Sequence, residues 1–461
     1  MKQLARRFAG DENELPAVQS GKPKSFLKFL MRYPIFILTF GPPIFRSGVI
    51  DATKGLIDIW SFLQVGLLGT IAIRAIYRLA SSESILIPKQ IRSILKVAFL
   101  LGFVFLASAI YSPSHLVSAA YSVLYFLTLI CIVEFVADVY TDPPDWIQCL
   151  FVLRLIALIL LAVALITLFF APSLVLSIEG GAGVRLRGEA VAPMVVIGPA
   201  IALISASSFL YSLESKARSA GFFIVGVVAT LSTQTRGAEL ALFLSLAILG
   251  AGWAKTGKRF AYIFISGFIS FILLCSAVLV AGGGGRIWDI FNRGQSMEGI
   301  ESASGRMDIW KFVIQYCIDH PQGMGYIAGF RALFREYFTL GMQVNVLGIG
   351  NSHNSFLDVL ADAGWLALVI YLVFLTKIFL LGRRLTRTGD SISSASNRLS
   401  FHAMQCALIL LVFCLSEGMD VADYNVPLRG YFYWQHVIIA IILGLSARLL
   451  VLSRQRHEPP Q

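Results

Sequence analysis

The run NSFLDVLADAGWLALVIYLVFLTKIFLLGRR, residues 354–384, decides the fold. It stays apolar for longer than the roughly 20 residues that a bilayer core demands, and it ends on arginines. A polar stretch, Asn351-Ser352-His353-Asn354, leads into it, and Asn354 or Ser355 is placed to cap the helix. Working outward, similar apolar runs recur near 34–50, 57–79, 93–112, 115–138, 148–171, 193–213, 219–234, 237–254, 260–281, 400–417 and 431–452. Each reads as a helix, because an open sheet cannot satisfy its backbone in lipid. The first is interrupted by Pro34, Pro42 and Pro43 and is expected to be kinked or re-entrant.

Composition agrees. Of 461 residues, 57% are hydrophobic and 14% charged. The fold class expected is therefore an all-α polytopic membrane protein of about 12 transmembrane helices, a single integral domain over residues 1–461. Residues 1–33 read as a cytoplasmic tail, not a cleaved leader, and 453–461 as a second cytoplasmic tail. The net charge of +11 sits mostly in short loops, so it is an orientation signal and not a nucleic-acid footprint. The six cysteines lie mostly inside apolar runs without CxxC spacing and argue for neither a metal nor a disulfide framework.

With the N-terminus inside, the cytoplasmic loops carry Arg74, Arg78, Lys89, Arg92, Lys96, Lys216, Arg218, Lys255, Lys258, Arg259, Arg383, Arg384, Arg387 and Arg398. The acidic loop Asp142 to Asp145 is the exception to the positive-inside pattern. Four segments then face outward together: 172–192, the turn at 235–236, the long loop 282–353 and the acidic loop Glu417 to Asp423. Within the long loop, Met307, Trp310, Ile314 and Cys317 recur at helical spacing until Pro321, Gly323 and Gly325 end the pattern. That helix is expected to lie along the membrane surface or to cap the bundle.

The outward side also collects Arg185, Arg187, Arg236, Arg306 and His353. Positive charge is scarce on that face in most membrane proteins, so the group points to an anionic ligand. Arg236 occupies a tight turn between two apolar helices, close to hydrocarbon. Arg306 precedes Trp310 by one helical turn, so guanidinium and indole share a face. Asp358 and Asp362 lie one turn apart, placed either to position a hydroxyl or to pair with arginines. No nucleotide-binding, zinc-protease, nucleophile-elbow, DxD or dinucleotide motif is present.

Four motifs in order then resemble the O-antigen ligase and polymerase superfamily. They are Arg185-Leu186-Arg187-Gly188 before a span, Thr233-Gln234-Thr235-Arg236-Gly237 between spans, Gly305-Arg306-Met307-Asp308-Ile309-Trp310 followed by His320-Pro321-Gln322-Gly323-Met324-Gly325-Tyr326, and Ser352-His353-Asn354-Ser355-Phe356-Leu357 continuing to Asp362-Ala363-Gly364. The resemblance implies a GT-C-like glycosyltransferase of the bacterial inner membrane that uses undecaprenyl-pyrophosphate-linked oligosaccharide and an acceptor glycan at the periplasmic face. It implies that Arg185 or Arg187, Arg236 and Arg306 hold the pyrophosphate and that His353 acts beside it, as base or as phosphate partner. Trp310, Asn354 and Asp358 complete the expected substrate contacts, with no metal and no cofactor. Membrane lipid, a flippase and a chain-length regulator are the expected partners.

Glu189-Ala190-Val191 stands where many relatives carry a Pro-Asn-type turn, which leaves open whether Arg185 or Arg187 is the functional one. The nearest alternative is a ligase that transfers a finished glycan to a lipid A core. A transporter for lipid-linked sugar is the rival from another class, and it predicts ionisable residues near the centres of spans, where only Arg154 and Glu134 are found. A metal-dependent oligosaccharyltransferase using Asp51 is a further alternative.

Overall fold

The computed structural model describes residue 33 and residues 59–80, 87–113, 115–141, 146–170, 176–178, 184–186, 194–210, 215–232, 306–326 and 354–388, with single positions at 239, 242, 243, 246, 440, 443 and 444. The elements in order are α1 (Ile59–Ala80), α2 (Lys89–Ser108), a 3-10 turn (Ala109–Tyr111), α3 (His115–Thr141), α4 (Trp146–Phe170), β1 (Leu176–Ile178), β2 (Val184–Leu186), α5 (Met194–Leu210), α6 (Lys216–Ser232), α7 (Arg306–Asp319) and α8 (Ser355–Thr388). Among the described residues, three helical stretches, Lys89–Tyr111, Ser118–Val139 and Ser355–Ile378, are long and apolar enough to cross a membrane. α1, α4, α5 and α6 fall on further expected spans, whereas 34–50, 260–281, 400–417 and most of 237–254 and 431–452 lie outside the described residues. So do residues 1–32, 282–305, 327–353 and 453–461, which hold both expected tails and most of the expected long loop.

One departure from an all-helical chain stands among the described residues. β1 and β2 pair antiparallel, with Ser177 opposite Arg185 and Leu176 opposite Leu186. The Gly180-Gly181-Ala182-Gly183 stretch between them in sequence is a turn signal that outweighed any helical tendency of so short a connector.

Helices α1, α2, α3 and α8 pack as neighbours. α2 begins where Pro88, in an extended conformation, cannot continue a helix backwards, and Arg92 N–H bonds to the Pro88 carbonyl at 2.9 Å. Its buried face, Ile91, Ile94, Leu95, Ala98, Leu101 and Phe105, recurs at helical spacing. At one end of the group Lys377 Nζ on α8 donates to Ser93 Oγ on α2 at 2.9 Å. At the other end the polar contacts are made by serines: Ser108 Oγ donates to the Phe105 carbonyl at 2.6 Å and Ser118 Oγ to Ser112 Oγ at 2.8 Å.

The end opposite those serines holds an ion-pair cluster. Arg74 Nε lies 2.7 Å from Glu134 Oε1, and Arg78 Nη1 lies 2.5 Å from Asp138 Oδ1. Arg74 and Arg78, expected as loop charge, are in fact on α1 and paired with α3, because Glu134 is buried and an unpaired buried carboxylate is costly. From Ser118 to Glu134, α3 climbs about 24 Å at 1.5 Å per residue, so the two polar ends are separated by most of a bilayer core.

α5 and α6 form a close antiparallel pair. Gly198 faces Gly226 and Thr230, and a Cβ on Gly226 would collide with the Ala202 backbone. Small residues let the two backbones approach, as membrane helix pairs require. Arg154 of α4 is buried beside this pair, with Nη2 3.3 Å from Ser208 Oγ and its guanidinium 4.9 Å from the Phe222 ring centre.

Candidate functional site

α8 is not one continuous helix. At Gly364 the backbone takes φ 78°, ψ −174°, a region open in practice only to glycine, so residues 355–363 and 365–388 are two helical pieces. The break strands hydrogen-bonding groups, and a loop following α7 satisfies them. Met324 N–H donates to the Ala361 carbonyl at 2.9 Å, Gly325 N–H to the Asp362 carbonyl at 2.7 Å, and Trp365 N–H to the Pro321 carbonyl at 3.1 Å. The loop is tight because Gly323 and Gly325 have φ of 76° and 109°. Each fits only without a side chain: a Cβ on Gly323 would meet the Ala363–Gly364 backbone, one on Gly325 would strike Ser112, and one on Gly364 would strike Pro321.

The loop is fastened on its other side to α2 and α3. Tyr326 N–H donates to Ser108 Oγ at 2.9 Å, and Tyr111 OH donates to the Gln322 carbonyl at 2.8 Å. The Tyr326 ring is fully buried, stacked on Phe105 at 4.0 Å with 7° between planes and edge-on to Tyr125 at 6.3 Å. Two of the sequence motifs, His320 to Tyr326 and Asp362 to Gly364, are therefore halves of one joint. The sequence signal that could have found it was a glycine inside an apolar helical run paired with a Gly-x-Gly after a proline.

α7 lies against α8 through a core of Val313, Cys317, Leu360 and Ala361, with Trp310, Phe312, Tyr316, Leu357 and Leu368 packed around it. The chain thus brings Arg306, the first residue of α7, onto a helix that packs directly on the helix headed by Asn354. Asn354 caps α8: its Oδ1 accepts from Phe356 N–H at 3.0 Å and Leu357 N–H at 3.4 Å, and Asp358 N–H donates to its carbonyl at 2.9 Å. That cap occupies two of the N–H groups that a free helix N-terminus would offer to an anion. Asp358 and Asp362 are both buried, one turn apart. Burial pushes the Cys317 thiol up to about 12, and the Asp362 carboxylate nearby adds to the effect.

The other expected site residues are distributed as follows. Trp310 is half-buried, on the α7 face turned to α8. Arg185 sits on β2 opposite Ser177. Arg187, Arg236 and His353 lie outside the described residues, His353 immediately before Asn354 in sequence, and so does Asp51.

The stretch holding α6, α7, the loop and the break in α8 is also where similarity to a known family falls. Residues 220–372 match a family model described as O-antigen ligase. This matched stretch is similar to an O-antigen ligase domain. The matched stretch contains Arg236, Arg306 and His353 and supports membership of the O-antigen ligase and polymerase superfamily, whose members are membrane glycosyltransferase-like enzymes. No curated protein matches the chain closely enough to report.

Proposed function

We propose that this protein polymerises undecaprenyl-pyrophosphate-linked oligosaccharide repeats into an exopolysaccharide or O-antigen at the periplasmic face of the bacterial inner membrane. The observation that carries the reading is that a single O-antigen ligase match spans Arg236, Arg306 and His353. The packing of α7, which begins at Arg306, on α8, whose cap Asn354 directly follows His353, supports it.

In this mechanism an acceptor hydroxyl attacks the anomeric carbon of the donor. The bond from that carbon to the diphosphate oxygen breaks, and undecaprenyl pyrophosphate leaves. Arg236, Arg306 and one of Arg185 and Arg187 neutralise the charge that builds on the diphosphate; guanidinium forks match phosphate oxygens in a bidentate way and act without a metal ion. His353 takes the hydroxyl proton, in which case displacement inverts the anomeric centre, or it hydrogen-bonds a phosphate oxygen. Trp310, Asn354 and Asp358 supply the sugar side of the site.

The family's printed description names a ligase, and this favours one second reading: transfer of a finished glycan to a lipid A core by the same chemistry. Incubating the purified protein with an undecaprenyl-pyrophosphate glycan separates the two. A ladder of products supports polymerisation; one shift on an added lipid A core supports ligation; absence of turnover with either acceptor refutes both and favours transport.

A further inference from the structure

α7 has three faces, not two. Taking Val313 as the centre of the side packed on α8, each residue advances about 100° around the helix, so Ile314 and Ile318 lie together about 100–140° away. Lys311, Gln315 and Asp319 follow beyond them, and all five are exposed. Ile314 is 44% and Ile318 58% exposed, although Val313 and Cys317 beside them are buried. A helix that only capped the protein from the aqueous side has no use for an isoleucine pair turned outward.

The neighbouring helix carries a second outward apolar stripe. In α8 every residue from Ser355 to Gly364 is at least partly buried, and the outward stripe starts at the break: Trp365, Leu366, Val369, Leu372, Val373 and Leu380 are exposed at helical spacing. The stripe lies on a helix whose stretch Ser355–Ile378 is long and apolar enough to cross a bilayer. Trp365 joins it to α7, since its Nε1–H donates to the Cys317 carbonyl at 3.2 Å while 44% of the residue stays exposed. From the other side Tyr111, at the end of the α2 span and 41% exposed, donates its hydroxyl to the Gln322 carbonyl. Two half-exposed aromatics from separate spans thus anchor their polar tips on the same α7–loop segment, the placement Trp and Tyr take at a membrane–water boundary.

We infer that α7 lies at the rim of one leaflet with Ile314 and Ile318 seated in phospholipid acyl chains, continuing the lipid-facing stripe of α8, while Lys311, Gln315 and Asp319 face water. The occupant of this surface is bilayer lipid, by continuity with α8. The inference holds whether or not the protein is a glycosyltransferase. If it is one, Arg306 at the head of α7 sits at the depth of lipid headgroups, where a lipid-borne pyrophosphate travels.

The test uses the full chain reconstituted in phosphatidylcholine–phosphatidylglycerol vesicles, with a benzophenone-bearing phenylalanine analogue introduced singly at 311, 314, 315 or 318. After irradiation, intact-protein and peptide mass spectrometry reads the adducts. Phospholipid adducts at 314 and 318, and their loss at 311 and 315, support the inference. Crosslinked dimers at 314 and 318, equal lipid labelling at all four positions, or no lipid adduct at 314 and 318 overturns it. Melting of each variant at the wild-type temperature establishes that the fold is intact, and no readout depends on turnover.

Discussion

Replacing Gly364 by alanine sets a methyl group against the Pro321 carbonyl oxygen and asks an L-residue to hold φ 78°, ψ −174°. The backbone strain alone is worth about 1–3 kcal/mol. If the joint opens to relieve it, three hydrogen bonds between the loop and α8 go too, each worth about 0.5–1.5 kcal/mol net. Opening therefore costs about 1.5–4.5 kcal/mol in hydrogen bonds and releases about 1–3 kcal/mol of strain, a net difference well below the stability of an ordinary domain, so the loop should detach before the bundle melts. Hydrogen exchange in detergent micelles reads this directly. In the wild type the amides of Met324, Gly325 and Trp365 should be protected by their hydrogen bonds; in Gly364→Ala they should exchange together, with α3 still protected. Unchanged protection across 321–326 would refute the reasoning, because it would mean that an alanine tolerates the break or that the loop is held by α2 alone.

Gly325→Ala should release the same loop from its other side, because the added methyl falls on Ser112; the expected signature is loss of protection at Tyr326, and it should be rescued in part by Ser112→Gly. Arg236→Ala and Arg306→Ala should abolish long-chain product while the protein stays in the membrane, and Arg306→Lys should also fail since an ammonium lacks the guanidinium fork; wild-type chain lengths from either alanine variant contradict the proposed site. Cys317, with its thiol raised to about 12, should resist maleimide at pH 8 and react only after denaturation. The same shift makes stability fall as pH rises above about 9, where the unfolded thiol ionises and the buried one does not; melting of Cys317→Ala should lack that part of the decline. Arg78→Ala should lower the melting temperature more than Arg74→Ala, because the Arg78 side chain is 21% exposed against 45% and its ion pairs are less screened.

What the sequence revealed was whatever burial in lipid writes as a long apolar run. The spans at 93–112, 115–138 and 354–382 were legible for that reason, and so was the helix of Trp310 and Cys317, whose apolar residues recur at helical spacing. The joint was not, because it is made of backbone groups, and Gly323, Gly325 and Gly364 advertise only that some unusual conformation is needed, not which partner completes it. The ion pairs of Arg74 and Arg78 were hidden for a related reason: the partners lie 60 and more residues away on α3, and a count of loop charge has no means of seeing them. The β1–β2 hairpin escaped because three-residue strands carry too few side chains to show a period of two. Of the candidate site, Asn354 and its capping role were read correctly, since that preference is local.

Tyr326 has a consequence for how the protein is made. Its pocket consists of Phe105, Ser108 and Tyr125, and its hydrogen-bond partner precedes it by 218 positions. At about 5–20 residues per second, a ribosome needs roughly 10–40 s to cover that distance. The two early helices must therefore be delivered to the bilayer, and persist there against misassociation, with an apolar slot open until the late segment is translated.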